Sequence, residues 1–313
     1  MTSPHIGMRH FTESELADAL SSLPLDDVVE CMRDAFREQA EGRIALQTRI
    51  PTDAQGVRLN TMAALIPGIG FGGAKVYTAV GTQFSFLVAL FSHPDGKLVA
   101  TFDAGGLTGL RTAAVSALAA SYLARPDARR LTVFGTGTQA ASHVQALTRR
   151  HPIEEIRVVG RTHAQAFAER MQAATGRPAA VTSAEQALDG ADLIVTATRS
   201  ATPLFDGRRI ADGTTLIAVG SARPNAAEID AATIERSSLI VVETFEGMRH
   251  EAGDLLLAEQ AGIDPWGRTA ELGALVTGRR AGRQSPDEIN LYESLGNPLE
   301  DVAIAAMIYR RLA

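Results

Sequence analysis

One cysteine, Cys31, stands in 313 residues, so the chain has no internal disulfide framework and no cysteine-based metal cluster. It falls in the helical run Val28-Val29-Glu30-Cys31-Met32-Arg33, where packing is the expected role. No stretch approaches the ~18 uninterrupted apolar residues of a membrane span, and the polar start Met1-Thr2-Ser3-Pro4-His5 is not a secretory signal. Basic excess is missing too: the net charge is −6 and the pI about 5.7, which leaves no broad basic surface for nucleic acid. Repeats, low-complexity segments and long linkers are also lacking. These absences lead to the expectation of a soluble, cytoplasmic, globular protein, and 45% hydrophobic content supports two cores at this length.

What is present begins with Gly135-Thr136-Gly137-Thr138-Gln139-Ala140. The turn runs off the apolar Leu131-Thr132-Val133-Phe134 and into Ala141-Ser142-His143-Val144. A strand, glycine turn and helix in this order suit a dinucleotide. Gly135 permits the tight turn, Gly137 lets the backbone approach the pyrophosphate, and Ala140 lets the helix lie close on the strand. The helix start offers N–H groups and the positive dipole end. A second apolar run, Ile156-Arg157-Val158-Val159, completes a crossover unit of roughly 30 residues. An NAD site usually carries Asp or Glu at the end of that strand. Here stand Gly160-Arg161-Thr162-His163, a cation and a hydroxyl that suit a 2′-phosphate, so NADP(H) is preferred over NAD(H).

Ahead of this fold, residues 12–40 read as helix, with a capping box at Thr12 and Glu15 and a break at Pro24. From Arg58 the period changes to two. Residues 74–80, 84–91 and 98–102 continue an antiparallel sheet, with a turn at His93-Pro94-Asp95-Gly96-Lys97. An alanine-rich helix then opens at Thr108 and reaches about Ala124, which places Arg111 in its first turn, where the dipole disfavours a cation unless an anion is bound. Arg49, Lys75 and Arg111 all lie in apolar or small surroundings. Lys75 reads either as an edge residue facing solvent or, with Gly72 and Gly73 before it, as a group approached closely by a ligand or another backbone. If the three cations converge they form a carboxylate site; spacing alone leaves that open. His143 and His163 read as solvated or helix-surface histidines. Glu243, Glu246, His250, Glu251 and Asp254 read as a solvated loop and helix, with no metal expected, and Trp266 as packing.

These residues, in this order, resemble the ornithine cyclodeaminase/mu-crystallin family over nearly the whole chain. The resemblance rests on Gly73-Ala74-Lys75-Val76, on residues 107–114 with Arg111-Thr112, on the Gly135 turn, on residues 191–198, on Ala218-Val219-Gly220, and on Ser294-Leu295-Gly296 with Glu300-Asp301. It implies an α/β subunit: a doubly wound Rossmann domain over 112–290, and an α+β substrate-binding and dimerisation domain from 1–111 completed by 291–313. It also implies a homodimer. Arg49, Lys75 and Arg111 would hold a substrate carboxylate, with Lys75 and Arg111 the catalytic candidates. Thr112, Gln139 and the Gly135–Gly137 turn would contact the dinucleotide, and Thr138, Thr196 and Gly220 in the matched segments join them. Met62, Tyr77, Thr78 and Ser221 would line the substrate.

One departure separates branches of the family. Cyclodeaminases of this family carry an aspartate shortly after the strand that ends at Val219-Gly220; here the position is Ala222, and a methyl group transfers no proton. The stretch Gly220-Ser221-Ala222-Arg223-Pro224 looks like the ketimine reductase branch. The implied reaction is hydride transfer from NAD(P)H to a 2-imino acid such as Δ1-pyrroline-2-carboxylate or Δ1-piperideine-2-carboxylate, with Ser221 or a water relaying the proton. The alternatives are an ammonia-releasing cyclodeaminase, an open-chain amino acid dehydrogenase, and a non-catalytic binding protein of the mu-crystallin kind.

Overall fold

Thr12 and Glu15 cap the first helix as the sequence predicts: the Thr12 side chain accepts from the Glu15 N–H, and the Glu15 carboxylate accepts from the Thr12 N–H at 2.9 Å. The computed structural model describes residues 8–81 and 83–312; the polar start at Met1 to His5 lies outside them. The chain divides into two compact units, Met1–Thr112 with Gly296–Ala313, and Ala113–Leu295.

The first unit opens with β1 (Arg9–Phe11), α1 (Glu13–Ser21) and α2 (Leu25–Ala40), the two helices being separated at Pro24. Val28, Val29, Met32, Ala35 and Phe36 recur at helical spacing on the buried side of α2. Then come β2 (Ala45–Ala54), β3 (Val57–Ile66), β4 (Phe71–Val80), β5 (Gln83–Ser92) and β6 (Leu98–Asp103). The sheet order is β1-β6-β5-β4-β3-β2. Strands β2 to β6 pair antiparallel as the sequence predicts, and β1 adds to β6 in parallel, so the whole sheet is mixed. Helix α3 (Gly105–Leu123) leaves this unit at Thr112.

The second unit is a parallel sheet. Its elements are β7 (Arg130–Phe134), α4 (Thr138–Arg150), β8 (Glu155–Val159), α5 (Ala164–Thr175), β9 (Ala179–Val181), α6 (Ala184–Leu188), β10 (Leu193–Thr196), β11 (Thr215–Ala218), α7 (Ala231–Arg236), β12 (Ser237–Val242), α8 (Phe245–Glu251), α9 (Gly253–Gln260), β13 (Thr269–Glu271), α10 (Leu272–Val276) and β14 (Ile289–Glu293). The order β13-β12-β14-β11-β10-β7-β8-β9 turns at β7, with β8 and β9 to one side and β10 and β11 to the other. That reversal is the switch point of a doubly wound fold, where ligands bind outside the carboxyl ends of the strands. Its core is built from Ile194, Leu216, Ile229, Ile240, Val242, Leu255 and Leu291, among others. A boundary at 290 falls inside β14, which the sheet seats between β11 and β12.

The chain returns to the first unit as α11 (Pro298–Leu312). This helix packs on α2 and across β3, β4 and β5. It sits close because Gly73 has no side chain: a Cβ there would stand 2.5 Å from the Ala89 carbonyl and 3.0 Å from Val302. Gly73 thus serves the approach of the unit's own helix, whereas a Cβ on Gly72 would meet Leu65 of β3.

Candidate active site

Within the first unit, β4 carries Lys75 on the face that α11 covers. Met62 opposite it on β3 is buried, and so are Val88 and Leu90 on β5. The Lys75 ammonium donates to Thr108 Oγ1 at 2.8 Å and to Asp301 Oδ1 at 2.9 Å, and lies 4.8 Å from the centre of the Phe86 ring. Arg111 donates from Nε to the same Asp301 Oδ1 at 3.2 Å and from Nη1 to Glu300. All four side chains are buried. Lys75 therefore faces the core and is no solvent-facing edge residue. Arg111 lies in the second turn of α3, because the helix begins at Gly105 and not at Thr108. Arg111 therefore lies beyond the first-turn N–H groups where the sequence places it, and Glu300 and Asp301 answer its charge.

Local geometry holds the two acids. Glu300 and Asp301 occupy the first turn of α11, the end where negative charge is favoured. Glu300 Oε1 accepts from the Asn297 N–H at 3.2 Å, and Asn297 Oδ1 accepts from the Leu299 N–H at 2.9 Å. Gly296 adopts φ +80°, and a Cβ there would lie 2.8 Å from the Arg111 guanidinium. Burial pulls the Lys75 pKa down to about 8, against the pull of Asp301 that raises it. Arg49 stands on β2, half-buried, where the register shifts so that Thr48 and Arg49 oppose Met62, the strand partner of Lys75. Arg49 and Lys75 are thus two strands apart on one row of the sheet.

In the second unit the glycine turn follows β7. Gly135 takes φ +113°, and a Cβ on it would collide with the Ala197 carbonyl beyond β10. Gly137 precedes α4 with open space where a Cβ would stand. No side chain caps α4 and no acid lies in its first turn, so its N–H groups suit an anion. Gln139 Oε1 is buried there without a hydrogen-bond partner, and Ala140 is buried against the sheet. The residues present fit a dinucleotide. Thr136 Oγ1 donates to the Thr162 carbonyl at 3.2 Å, tying this turn to the exposed Arg161 and Thr162 after β8. Thr196 ends β10 and is buried, as is Ser221, whose hydroxyl donates to the Ala226 carbonyl at 2.8 Å. Thr112 in α3 is buried and bonds to the Thr108 carbonyl.

Sequence reading missed a second polar cluster in this unit. Glu228 Oε1 accepts from the Thr198 N–H at 2.6 Å and from its hydroxyl at 2.5 Å. Asp254 Oδ1 accepts from the N–H groups of Glu228 and Ile229 at 2.7 and 2.8 Å. Burial pushes Glu228 up to about 7 and Asp254 up to about 6, and it lifts Glu293, at the end of β14, well above the usual carboxylate range with Asp254 beside it. Asp254 and Glu243, which the sequence reads as part of a solvated loop and helix, are instead buried, and Glu243 accepts from Tyr292, Ser294 and the Leu295 N–H. His143 is likewise buried and not a surface residue. Its Nδ1 donates to the Gln139 carbonyl at 2.7 Å, so in the neutral ring Nε2 accepts from Ser116 at 2.8 Å. The pattern signal for His143 is the helical period of α4, where Ala140, Val144 and Leu147 share its buried side; α9 carries no such period, so nothing local marks Asp254. His163 is exposed, at φ +57°.

A family model described as the ornithine cyclodeaminase/mu-crystallin family matches residues 14–313. The chain is 33% identical over 279 residues to a Δ1-pyrroline-2-carboxylate reductase of Bacillus cereus, covering 84% of this chain and 86% of that one. Among solved structures it resembles a probable ornithine cyclodeaminase from Bordetella pertussis Tohama I, with 42% identity, a TM-score of 0.94, and 98% and 97% of the two chains covered. It also resembles the Thermococcus litoralis Δ1-pyrroline-2-carboxylate reductase solved with NADH and L-proline, with 27% identity, a TM-score of 0.92 and 97% of each chain covered.

Proposed function

We propose that this chain, which belongs to the ornithine cyclodeaminase/mu-crystallin family, is an NAD(P)H-dependent reductase of cyclic 2-imino acids such as Δ1-pyrroline-2-carboxylate or Δ1-piperideine-2-carboxylate. The observation that carries the reading is the meeting of two buried cations, Lys75 and Arg111, in the first unit. Arg49, Lys75 and Arg111 hold the substrate carboxylate through charge-assisted hydrogen bonds and so fix the orientation of the imine. Lys75 carries its charge below about pH 8. In the second unit Gly135, Gly137, Thr138 and Gln139 hold the pyrophosphate, with Thr196 and Gly220 at the strand ends. When bound, the nicotinamide supplies the hydride. Arg161 and Thr162 favour the 2′-phosphate of NADPH over NADH. Ser221 already donates its proton to Ala226, so a substrate-binding Ser221 accepts rather than donates, and the imine arrives protonated or takes its proton from water.

Ala222, standing where a cyclodeaminase carries its aspartate, favours a reductase over a lyase. The protein acts in the cytoplasm as a homodimer. The face of the six-stranded sheet turned away from α11 presents Ile50, Val57, Leu59, Leu65, Val80 and Leu87, each 37 to 53% exposed, as one apolar surface that a second copy would cover. No helix among the described residues is long and apolar enough to cross a membrane.

The test is a set of cyclic imines, and of 2-keto acids with amines, run with NADPH and NADH in parallel. Cyclic imine reduction faster with NADPH is expected, and Lys75→Ala should lower kcat/KM by about 100-fold or more, the usual effect of truncating one member of a buried charge pair. Ammonia and proline formed from ornithine without net cofactor turnover would move the assignment to the lyase.

A further inference from the structure

Lys75 and Arg111 meet at one oxygen atom. Asp301 Oδ1 accepts from Lys75 Nζ at 2.9 Å and from Arg111 Nε at 3.2 Å, while Oδ2 of the same carboxylate is buried without a hydrogen-bond partner. The groups facing Lys75 come from every element packed against it: Asp301 and Glu300 on α11, Arg111 and Thr108 on α3, and the Tyr77 and Phe86 rings on β4 and β5. Two cations thus face two carboxylates, and the cluster is neutral before any ligand arrives.

That neutrality has a consequence for binding. An ammonium has three N–H bonds; Asp301 and Thr108 take two, leaving the third to a ligand. A substrate carboxylate entering this cluster makes it net negative, which strengthens the hold on the Lys75 proton. Without Asp301 the cluster starts net positive, and Arg111 then drives the same proton off. Desolvation already works in that direction.

We propose that Asp301 is a positioning residue for the reduction: one carboxylate oxygen ties Lys75 to Arg111 and keeps the ammonium charged, thereby setting the alkaline limit of activity. The inference rests on the reading that Lys75 engages the substrate. Glu300 plays a weaker part of the same kind, because it contacts Arg111 and reaches Lys75 only through space.

The experiment is the pH profile of kcat/KM for cyclic imine reduction in wild type, Asp301→Asn, Asp301→Glu and Glu300→Gln, with nucleotide affinity measured alongside by NADPH fluorescence. In wild type the alkaline limb should fall near pH 8. In Asp301→Asn it should move down by about one unit or more, the ordinary effect of losing an opposite charge at contact distance. Glu300→Gln should move it less, Asp301→Glu should return it towards wild type, and NADPH affinity should stay within twofold throughout. A lower kcat/KM with the limb unmoved would make Asp301 merely structural and overturn the proposal. Should Asp301→Asn fail to fold, Glu300→Gln decides: a limb that does not move at all overturns it too. A wild-type profile with no alkaline limb, or full activity in Lys75→Ala, would instead overturn the reading of Lys75. Binding of furan-2-carboxylate, a planar ring carboxylate with no imine, measured against pH by calorimetry, reads the same Lys75 proton without turnover and should show the same order of variants.

Discussion

In the first unit, Lys75 and Arg111 are buried against Asp301 and Glu300, two cations facing two carboxylates; in the second, Glu228, Asp254 and Glu293 are buried with one another. Burial is equally deep, yet the chemistry differs. A compensated cluster keeps its charges, and the third N–H of the Lys75 ammonium is left for an incoming carboxylate while Asp301 stays in place. An uncompensated one sheds charge by taking up protons, and what remains is a hydrogen-bonding scaffold: Asp254 holds the backbone at Glu228, which in turn holds Thr198 after β10. One unit stores charge and the other geometry.

The largest effect that separates them comes from removing one group on each side. Arg111→Met leaves Asp301 and Glu300 buried with Lys75 as their remaining cation, and breaking a buried pair in this way costs about 3–5 kcal/mol. Glu293→Gln replaces a carboxyl whose pKa burial lifts well above the usual carboxylate range with a neutral amide of the same shape, and should cost under about 1 kcal/mol. Native-state hydrogen exchange, comparing peptides of α11 with peptides of β14, reads the two units separately. Equal losses would dissolve the distinction.

Titration gives the next effect, and the two units should respond with opposite signs. Glu228 rises from 4.5 to about 7 and Asp254 from 3.8 to about 6 on folding. Across that interval the unfolded chain has released protons that the folded one keeps, so stability of the second unit falls as pH rises from about 4 to 7, by roughly 3 kcal/mol for Glu228 alone. Lys75 moves the other way, from 10.5 down to about 8. There the unfolded chain holds the extra proton, and this residue's contribution to the first unit grows between pH 8 and 10.5. Protection factors corrected for intrinsic exchange should show β14 strongest in acid. Protection of β14 that is flat from about pH 4 to 7 would mean the carboxyls are ionised throughout.

How far these clusters can be read in the sequence follows from distance along the chain. The glycine turn, the capping box at Thr12, the break at Pro24 and the hairpin at His93-Pro94 are local, and each is written in adjacent residues whose conformational preferences decide the outcome. Asp301 lies 226 residues from Lys75 and 190 from Arg111, so no window on the sequence contains the pair. Family resemblance brought those cations together in expectation, yet gave no partner for them. Asp254 looks like an ordinary helix-start acid until the backbone N–H groups of Glu228 and Ile229 arrive at it from another loop. The placement of β14 between β11 and β12 is equally non-local, since strand order is settled by packing and not by period.

The smallest effect sharpens the contrast in how each unit meets an anion. The first unit offers side-chain charge, which titrates; the second offers the N–H groups at the start of α4, which do not. Gly137→Ala isolates the latter. Its backbone, at φ −84° and ψ −173°, is open to any residue, and an added Cβ meets nothing within 4 Å, so the fold should lose less than about 0.5 kcal/mol. The methyl group instead occupies the space a pyrophosphate needs to reach those N–H groups, and loss of one charge-assisted hydrogen bond weakens NADPH binding by about tenfold. Fluorescence titration should show that loss to be the same at pH 6 and pH 9, while the alkaline limb set by Lys75 stays where it is. A pH-dependent loss would mean that a titrating side chain, and not the helix start, carries the phosphate.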